Sequence, residues 1–301
     1  MPSCSPADSA FLRRARPLLG TFVEIRLAAP DTATAERALR AGFAAVARVQ
    51  RLMSYHEAAS DVARLNRLNR LSARRPVAVH PWTAAVLRRA VQLHRVSDGL
   101  FDITVAPALA RGGWLPANRA RGADPGATAA DIEFLPGSRV RFRRPLLIDL
   151  GGIAKGYAVD RAVSALRRHG ALSGIVNAGG DLRVFGPAWE TVHVRAPDAP
   201  GEFTPLVQLR DSALATSAHY FAARRQGGRL CAPVIDPRTA TPSSAARSVT
   251  VQAPECWLAD ALCKVVWLAG AAAAPWLEKS GARAWVFDAR PRIRDSRRHA
   301  A

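Results

Sequence analysis

The sequence predicts a single domain that mixes helices with strands, and three observations carry that reading. The stretch Leu146–Asp160, LLIDLGGIAKGYAVD, passes from an apolar run through a glycine-rich turn into helical spacing. Apolar residues recur at helical intervals over Asp31–Leu52, Pro81–Val96 and Cys256–Gly270. Strand-like runs flank paired glycines in GIVNAGGDLRVFG, Gly174–Gly186, as a β-hairpin requires. With 301 residues and 49% hydrophobic content, the chain has ample material for one core. No repeat and no clean linker divides it.

The central stretch concentrates the chemistry. Leu146-Leu147-Ile148 suits a buried strand, followed by Asp149, the glycines Gly151, Gly152 and Gly156, and Lys155. From Tyr157 the apolar positions Ala158, Ala162, Val163 and Leu166 keep helical spacing. A strand–turn–helix junction presents bare backbone N–H groups and a helix N-terminus to a phosphate. It fits neither the Walker pattern nor Gly-x-Gly-x-x-Gly, and a purely structural turn also needs glycines. Lys155 tilts the reading toward a ligand. The chain holds 40 arginines but only three lysines, Lys155, Lys264 and Lys279. A lysine kept in that background supplies a compact point charge that a planar guanidinium does not replace.

In chain order, residues 1–17 read as a flexible N-terminus, and Leu18–Leu27 as an early strand with Gly20 at its start. Asp31 caps the first helix, whose buried side is Ala35, Ala38, Leu39, Gly42, Val46 and Val49. Met53–His56 is an irregular approach to Ser60, the cap of a helix over Asp61–Leu68. His56 reads either as a surface residue or as a ring that stacks on a ligand. Pro81 opens a helix ended by Gly99, and a cap role accounts for Asp102. Residues 111–140 read as an irregular surface excursion. Strands follow at Thr191–Arg195 and Leu206–Leu209. DSALATSAHY, Asp211–Tyr220, offers Thr216 and Ser217 to a phosphate or to a helix cap. VIDPRTATP is a turn-rich loop, Ser248–Gln252 a strand, and Val286-Phe287 the last strand before an Arg-rich tail, residues 289–301. On the helix Cys256–Gly270, Asp260 and Lys264 lie four apart and share a face, as an ordinary ion pair does.

The net charge of +19 does not make this a nucleic-acid protein, because the arginines are scattered and lack interleaved aromatics. It does favour a small anionic substrate. Four cysteines match no zinc spacing and no disulfide framework. No segment approaches membrane-spanning length on this reading. The N-terminus has neither an apolar signal region nor a lipobox at Cys4. The expectation is a cytoplasmic protein, or a periplasmic one if the true start lies upstream.

Taken together, GTFVEI, MSYHEAASDVARLN, GLFDITVAP, IDLGGIAKGYAVD, VNAGGDLRV, ALATS, IDPRT and ADAL stand in one order over residues 18–288. That order resembles the ApbE-type FAD:protein FMN transferases. The resemblance implies an α+β fold, a single domain with a mixed β-sheet flanked by helices. It implies transfer of FMN from FAD to a Thr hydroxyl of a target protein, such as a membrane redox subunit, with release of AMP. Leu19, His56, Leu100, Phe101, Asp102, Asp149, Lys155, Val234 and Ile235 are then the expected FAD contacts. Magnesium is implied too, on the Gly152 carbonyl and Asp260, to hold the charge that develops on a splitting pyrophosphate.

This chain departs from the family pattern at named positions. The third metal position is Lys264 where the family has a Thr, and an ammonium has no acceptor lone pair. Its charge is expected to fill the cation position itself or to swing aside. Pro233 stands where the family tends to have a His, and Ala240 where it has a Gly. His219, directly after ATSA, becomes the candidate base, and His219 with Asp260 the catalytic pair. Two further readings stand beside the transferase: a magnesium-dependent FAD pyrophosphatase giving FMN and AMP, and a non-catalytic FAD-binding protein.

Overall fold

The computed structural model describes residues 10–71, 75–117, 122–195, 203–218, 223–226, 229–243, 248–287 and 293–295. Strands β1 (Ala10–Leu18) and β2 (Thr21–Ala29) precede helices α1 (Thr32–Met53) and α2 (Asp61–Leu71). Next come β3 (Val77–Ala78), α3 (Pro81–Val96), α4 (Ala106–Arg111), β4 (Ile132–Leu135) and β5 (Arg139–Phe142). Helix α5 (Ala154–Arg168) leads into β6 (Ser173–Ala178), β7 (Asp181–Phe185), β8 (Glu190–Arg195), β9 (Phe203–Leu209) and β10 (Ala213–Ala218). Four short strands follow: β11 (Arg224–Gln226), β12 (Arg229–Cys231), β13 (Ile235–Asp236) and β14 (Thr241–Pro242). The last elements are β15 (Ser248–Ala253), α6 (Cys256–Ala269), α7 (Ala274–Lys279), β16 (Arg283–Phe287) and β17 (Ile293–Asp295).

These elements form two compact units, each discontinuous in sequence. One takes Met1–Gln50, Lys155–Ala215 and Gln252–Asp260; the other takes Arg51–Ala154, Thr216–Val251 and Ala261–Ala301. The sequence reads a single domain because the chain passes from one unit to the other inside α1, β10, β15 and α6 and at the start of α5. No linker composition marks such a crossing.

In the first unit the strand order is β1-β2-β6-β7-β10, with antiparallel pairs throughout. Strand β2 shows why it forms: Val23, Ile25, Leu27 and Ala29 alternate onto one face and are fully buried. Helix α1 packs on that sheet through Gly42, where a Cβ would come within 3.0 Å of Ile25 Cδ1 and Leu166 Cδ2. Its start is capped as the sequence predicts, Asp31 Oδ1 accepting from the Thr34 amide at 2.7 Å. The β6–β7 turn is also as predicted. Gly179 and Gly180 take φ of +66° and +103°, and Asn177 Oδ1 accepts from the Gly180 amide at 2.9 Å.

Strand β1 corrects the reading of a flexible N-terminus through residue 17. Residues 10–18 pair with β2 over their full length, turning at Leu19 and Gly20 with φ of +57° and +71°. The sequence hides this strand because β1 is a largely exposed edge without hydrophobic alternation. Its register comes from the turn and from cross-strand pairs such as Arg13–Glu24 at 2.7 Å.

In the second unit the order is β10-β15-β16-β17, beside a three-stranded sheet, β3-β5-β4. Five readings are corrected here. The segment around Thr216 and Ser217 caps no helix; it is strand β10, where the Thr216 and Thr250 hydroxyls meet at 2.9 Å. The excursion over residues 111–140 holds β4 and the start of β5, tied by the Glu133–Arg141 pair at 2.7 Å. The tail carries β17, paired with β16 from Trp285↔Asp295 to Phe287↔Ile293. The run Cys256–Lys279, with mean hydropathy 1.4, is by length and composition apolar enough to cross a membrane. In this fold 56% of its most apolar 18-residue window is buried inside the protein and a 3₁₀ turn at Gly270–Ala273 interrupts the run, which is how a core helix also reads.

The fifth correction concerns Leu146–Ile148. All three are buried as predicted, yet they join no sheet. Their backbone is satisfied by a side chain instead. Asn66 on α2 donates Nδ2 to the Ile148 carbonyl at 2.9 Å and accepts from its amide at 2.9 Å. The Asp149 amide donates to the Ile103 carbonyl at 2.8 Å. A primary amide that presents donor and acceptor together does the work of a neighbouring strand. Replacing Asn66 with Leu strands both groups at a site only 6% exposed. The expected cost is about 2–5 kcal/mol of stability, read as a lower midpoint in urea unfolding with an unchanged slope.

Candidate active site

In the first unit, helices α5 and α6 meet at their N-termini. A Cβ on Gly156 would stand 2.3 Å from the Cys256 carbonyl oxygen, so only glycine fits. Two aspartates then cap across the contact. Asp160 of α5 accepts from the Cys256 and Trp257 amides at 3.0 and 2.9 Å, and Asp260 of α6 accepts from the Gly156 amide at 3.1 Å. Each carboxylate meets orphan N–H groups and the positive end of the other helix. Arg183 on β7 supports Asp160 at 2.6 Å. Burial pushes the Cys256 thiol well above its usual range, and Asp160, Asp181 and Asp260 push the same way.

Lys155 enters this cluster one residue into α5. Its ammonium is ion-paired with Asp181, the first residue of β7. Burial disfavours the charge, yet Asp181 and Asp260 outweigh it and hold the Lys155 pKa above the ordinary lysine value. The Lys155 side chain remains 35% exposed while that of Asp181 is 2% exposed.

The second unit gathers a separate group. A Cβ on Gly152 would lie 3.5 Å from Lys264 Cε and 3.7 Å from Phe101 Cε2, so glycine turn, lysine and aromatic ring are neighbours. Asp149 is half-buried and accepts from the Gly151 amide at 3.0 Å. Burial raises its carboxyl pKa, against the pull of that amide, His56 and Lys264. His56 is exposed, its ring edge-on to Tyr55 at 6.1 Å between centroids.

Other expected contacts have structural partners. Leu100 and Phe101 are buried, and the Phe101 amide donates to Ser97 Oγ at 3.0 Å. Asp102 is a cap, as its sequence suggests: it accepts from the Thr104 amide at 2.8 Å and the Ala129 amide at 3.3 Å. Its Oδ2 also meets His94 Nδ1 at 3.1 Å. Leu19 sits in the β1–β2 turn and donates its amide to Gln50 Oε1 at 2.7 Å. Ile235 packs with Ala108 and Leu109, while the carbonyl of buried Val234 accepts from Ser243 at 2.8 Å. His219 lies outside the described residues. Ala240, in the IDPRTA turn, takes φ +53°, a left-handed backbone for which glycine is better suited.

Sequence reasoning gave no role to Asn66, Asp160 or Asp181, although all three lie in motifs already quoted, MSYHEAASDVARLN, IDLGGIAKGYAVD and VNAGGDLRV. A signal was available. A polar residue ending an apolar run, in a chain read as core at that point, needs a buried partner.

The sequence model of the ApbE family matches residues 19–286. The chain belongs to the ApbE family. Among its relatives, the FAD:protein FMN transferase of Haemophilus influenzae is 26% identical over 79% of this chain and 74% of that protein. The FAD:protein FMN transferase of Vibrio cholerae is 30% identical over 66% of this chain and 64% of that protein. The crystal structure of the ApbE protein of Thermotoga maritima superposes with a TM-score of 0.82 at 26% identity, covering 96% of this chain and 98% of that one. Pseudomonas stutzeri ApbE shares the fold with a TM-score of 0.78 at 22% identity, covering 92% and 91%. The ApbE fold is α+β, as expected.

The position that the resemblance gives to a third magnesium ligand is filled in this ApbE-family chain by a group that cannot coordinate a cation. Lys264 brings an ammonium, with three donors and no acceptor, beside Gly152. Among the described residues no group of three or more His, Cys, Asp or Glu is arranged to hold a metal.

The His94–Asp102 contact makes stability depend on pH. The hydrogen bond to Asp102 raises the His94 pKa, over the opposing effect of burial. The imidazolium therefore stabilises the fold fully below the unfolded histidine value of about 6.5. That contribution is lost as pH rises through the higher folded value. In urea melts, the stability difference between the parent and His94→Gln is expected to be largest at acidic pH and to shrink above neutrality. A pH-independent difference would refute the charged pair.

Proposed function

We propose that this chain is an FAD:protein FMN transferase, as its relatives are named. The observation that carries the reading is Lys155, held as an ammonium by Asp181 at the start of α5, two residues after the glycine-rich turn. A charge there suits the pyrophosphate that FAD has and FMN lacks. In the transfer, an acceptor Thr oxygen bonds to the phosphorus on the riboflavin side. The pyrophosphate P–O bond breaks, AMP departs with the electron pair, and the hydroxyl proton passes to solvent water. Lys155 offsets the negative charge accumulating on the phosphate oxygens. Water in place of the Thr would give FMN and AMP by hydrolysis, so the protein acceptor distinguishes the two reactions.

The test is incubation with FAD and a Thr-bearing membrane redox subunit, followed by mass spectrometry. A mass increase of one FMN on the acceptor with stoichiometric AMP supports the transferase. Free FMN from FAD alone indicates a pyrophosphatase, and bound FAD without products a binding protein. FAD is expected to bind well above FMN in calorimetry, and Lys155→Ala to weaken FAD by about 1.5–3 kcal/mol. Equal affinities of the parent for FAD and FMN would overturn the role given to Lys155.

The cation is proposed to be the Lys264 ammonium in place of magnesium. A lysine and a divalent ion at ~4 Å repel by about 8 kcal/mol at an effective dielectric near 20, before screening. FAD affinity of the parent is therefore expected to be the same in magnesium and in chelator. Lys264→Thr is expected to gain a magnesium dependence. A parent that needs micromolar magnesium to bind FAD would refute the substitution.

A further inference from the structure

Lys155 is placed where local forces oppose a cation. It lies in the first turn of α5, facing the positive end of the helix dipole, and burial further disfavours its charge. A lysine whose task was only to stabilise the helix would sit at the other end. A buried ion pair also returns little net stability, because desolvation offsets the attraction. The pair is nevertheless built with care from the opposite side. Gly179 and Gly180 turn the chain with positive φ, and Asn177 accepts from the Gly180 amide at 2.9 Å. A Cβ on Gly179 would come within 2.6 Å of Thr21 Oγ1, so the turn is held against β2 without side-chain play. Asp181 is the first residue after that turn, pairs in register with Ala178, and is 1% exposed.

We propose that Asp181 is the positioning residue for Lys155: the rigid Gly-Gly hairpin presents a fixed carboxylate that holds the lysine ammonium at one orientation, leaving its exposed side for the FAD pyrophosphate. Asp181 itself does not touch the substrate in this assignment, which rests on the transferase reading. The groups that face Lys155 divide the work. Asp260 and Cys256 approach from α6, where Asp260 also caps α5, while Asp181 makes the direct ion pair from β7. Orientation is the quantity at stake. An ammonium on four rotatable bonds loses much of its advantage if it must be ordered when the ligand arrives.

The experiment is a double-mutant cycle on flavin affinity, measured by calorimetry with FAD and with FMN for the parent, Asp181→Asn, Lys155→Gln and the double variant. Asp181→Asn is expected to weaken FAD about tenfold or more, the scale of one charge-assisted contact, while leaving FMN within twofold. On the Lys155→Gln background the same change is expected to have no further effect on FAD. A purely structural role for Asp181 would weaken both flavins and would do so on either background. Should Asp181→Asn alone fail to fold, the comparison of Lys155→Gln with the neutral pair remains decisive, and a further loss of FAD affinity beyond twofold overturns the assignment. A parent that binds FAD while Asp181→Asn binds it equally well also overturns it, with the transferase reading intact. A parent that binds no FAD removes both.

Discussion

The first unit depends on the contact between the N-termini of α5 and α6. Gly156 permits it, because any side chain would meet the Cys256 carbonyl at 2.3 Å. Bringing two helix N-termini together would ordinarily leave buried amides without partners and set two positive dipole ends against each other. Asp160 and Asp260 resolve both problems by capping each other's helix. The arrangement is reciprocal, so loss of either aspartate exposes the amides of the helix it does not belong to. Lys155 is accommodated within this field only because acidic groups already surround it.

That constraint gives Asp260 a second identity. From the family resemblance it is a metal ligand, and in this chain one of its oxygens caps α5 from a fully buried position. One turn further along α6, Lys264 carries a charge where a neutral ligand is expected.

In the second unit, Asn66 shows the same economy in uncharged form. Its amide satisfies the donor and the acceptor of Ile148, which lets a buried segment run without a neighbouring strand. The segment then delivers Asp149 and the glycine turn to the start of α5. Asp102 likewise serves local order, capping the turn at Ile103–Val105 and pairing with His94. Residues that look like ligand contacts in a motif are here also the hydrogen-bond partners that keep the motif's backbone in shape.

Local chemistry was enough for the sequence to determine several features by itself. The caps at Asp31 and Ser60, the Gly179–Gly180 hairpin and the helices α1, α3 and α6 depend on neighbours within a few residues, and each is found where periodicity and capping put it. Lysine scarcity and motif order pointed to Lys155, Lys264 and the ApbE family. Only the tertiary structure decided the rest, because the partners lie far apart in the chain. The Lys155–Asp181 pair spans 26 residues, Asn66–Ile148 spans 82, and Gly156–Asp260 spans 104. Strand β1 lacks alternation because an edge strand has little to bury, and β17 exists because β16 offers it an edge. A carboxylate in sequence is only a charge. Whether it caps a helix, holds a lysine or meets a ligand is set by which amides and cations the fold brings to within hydrogen-bond distance.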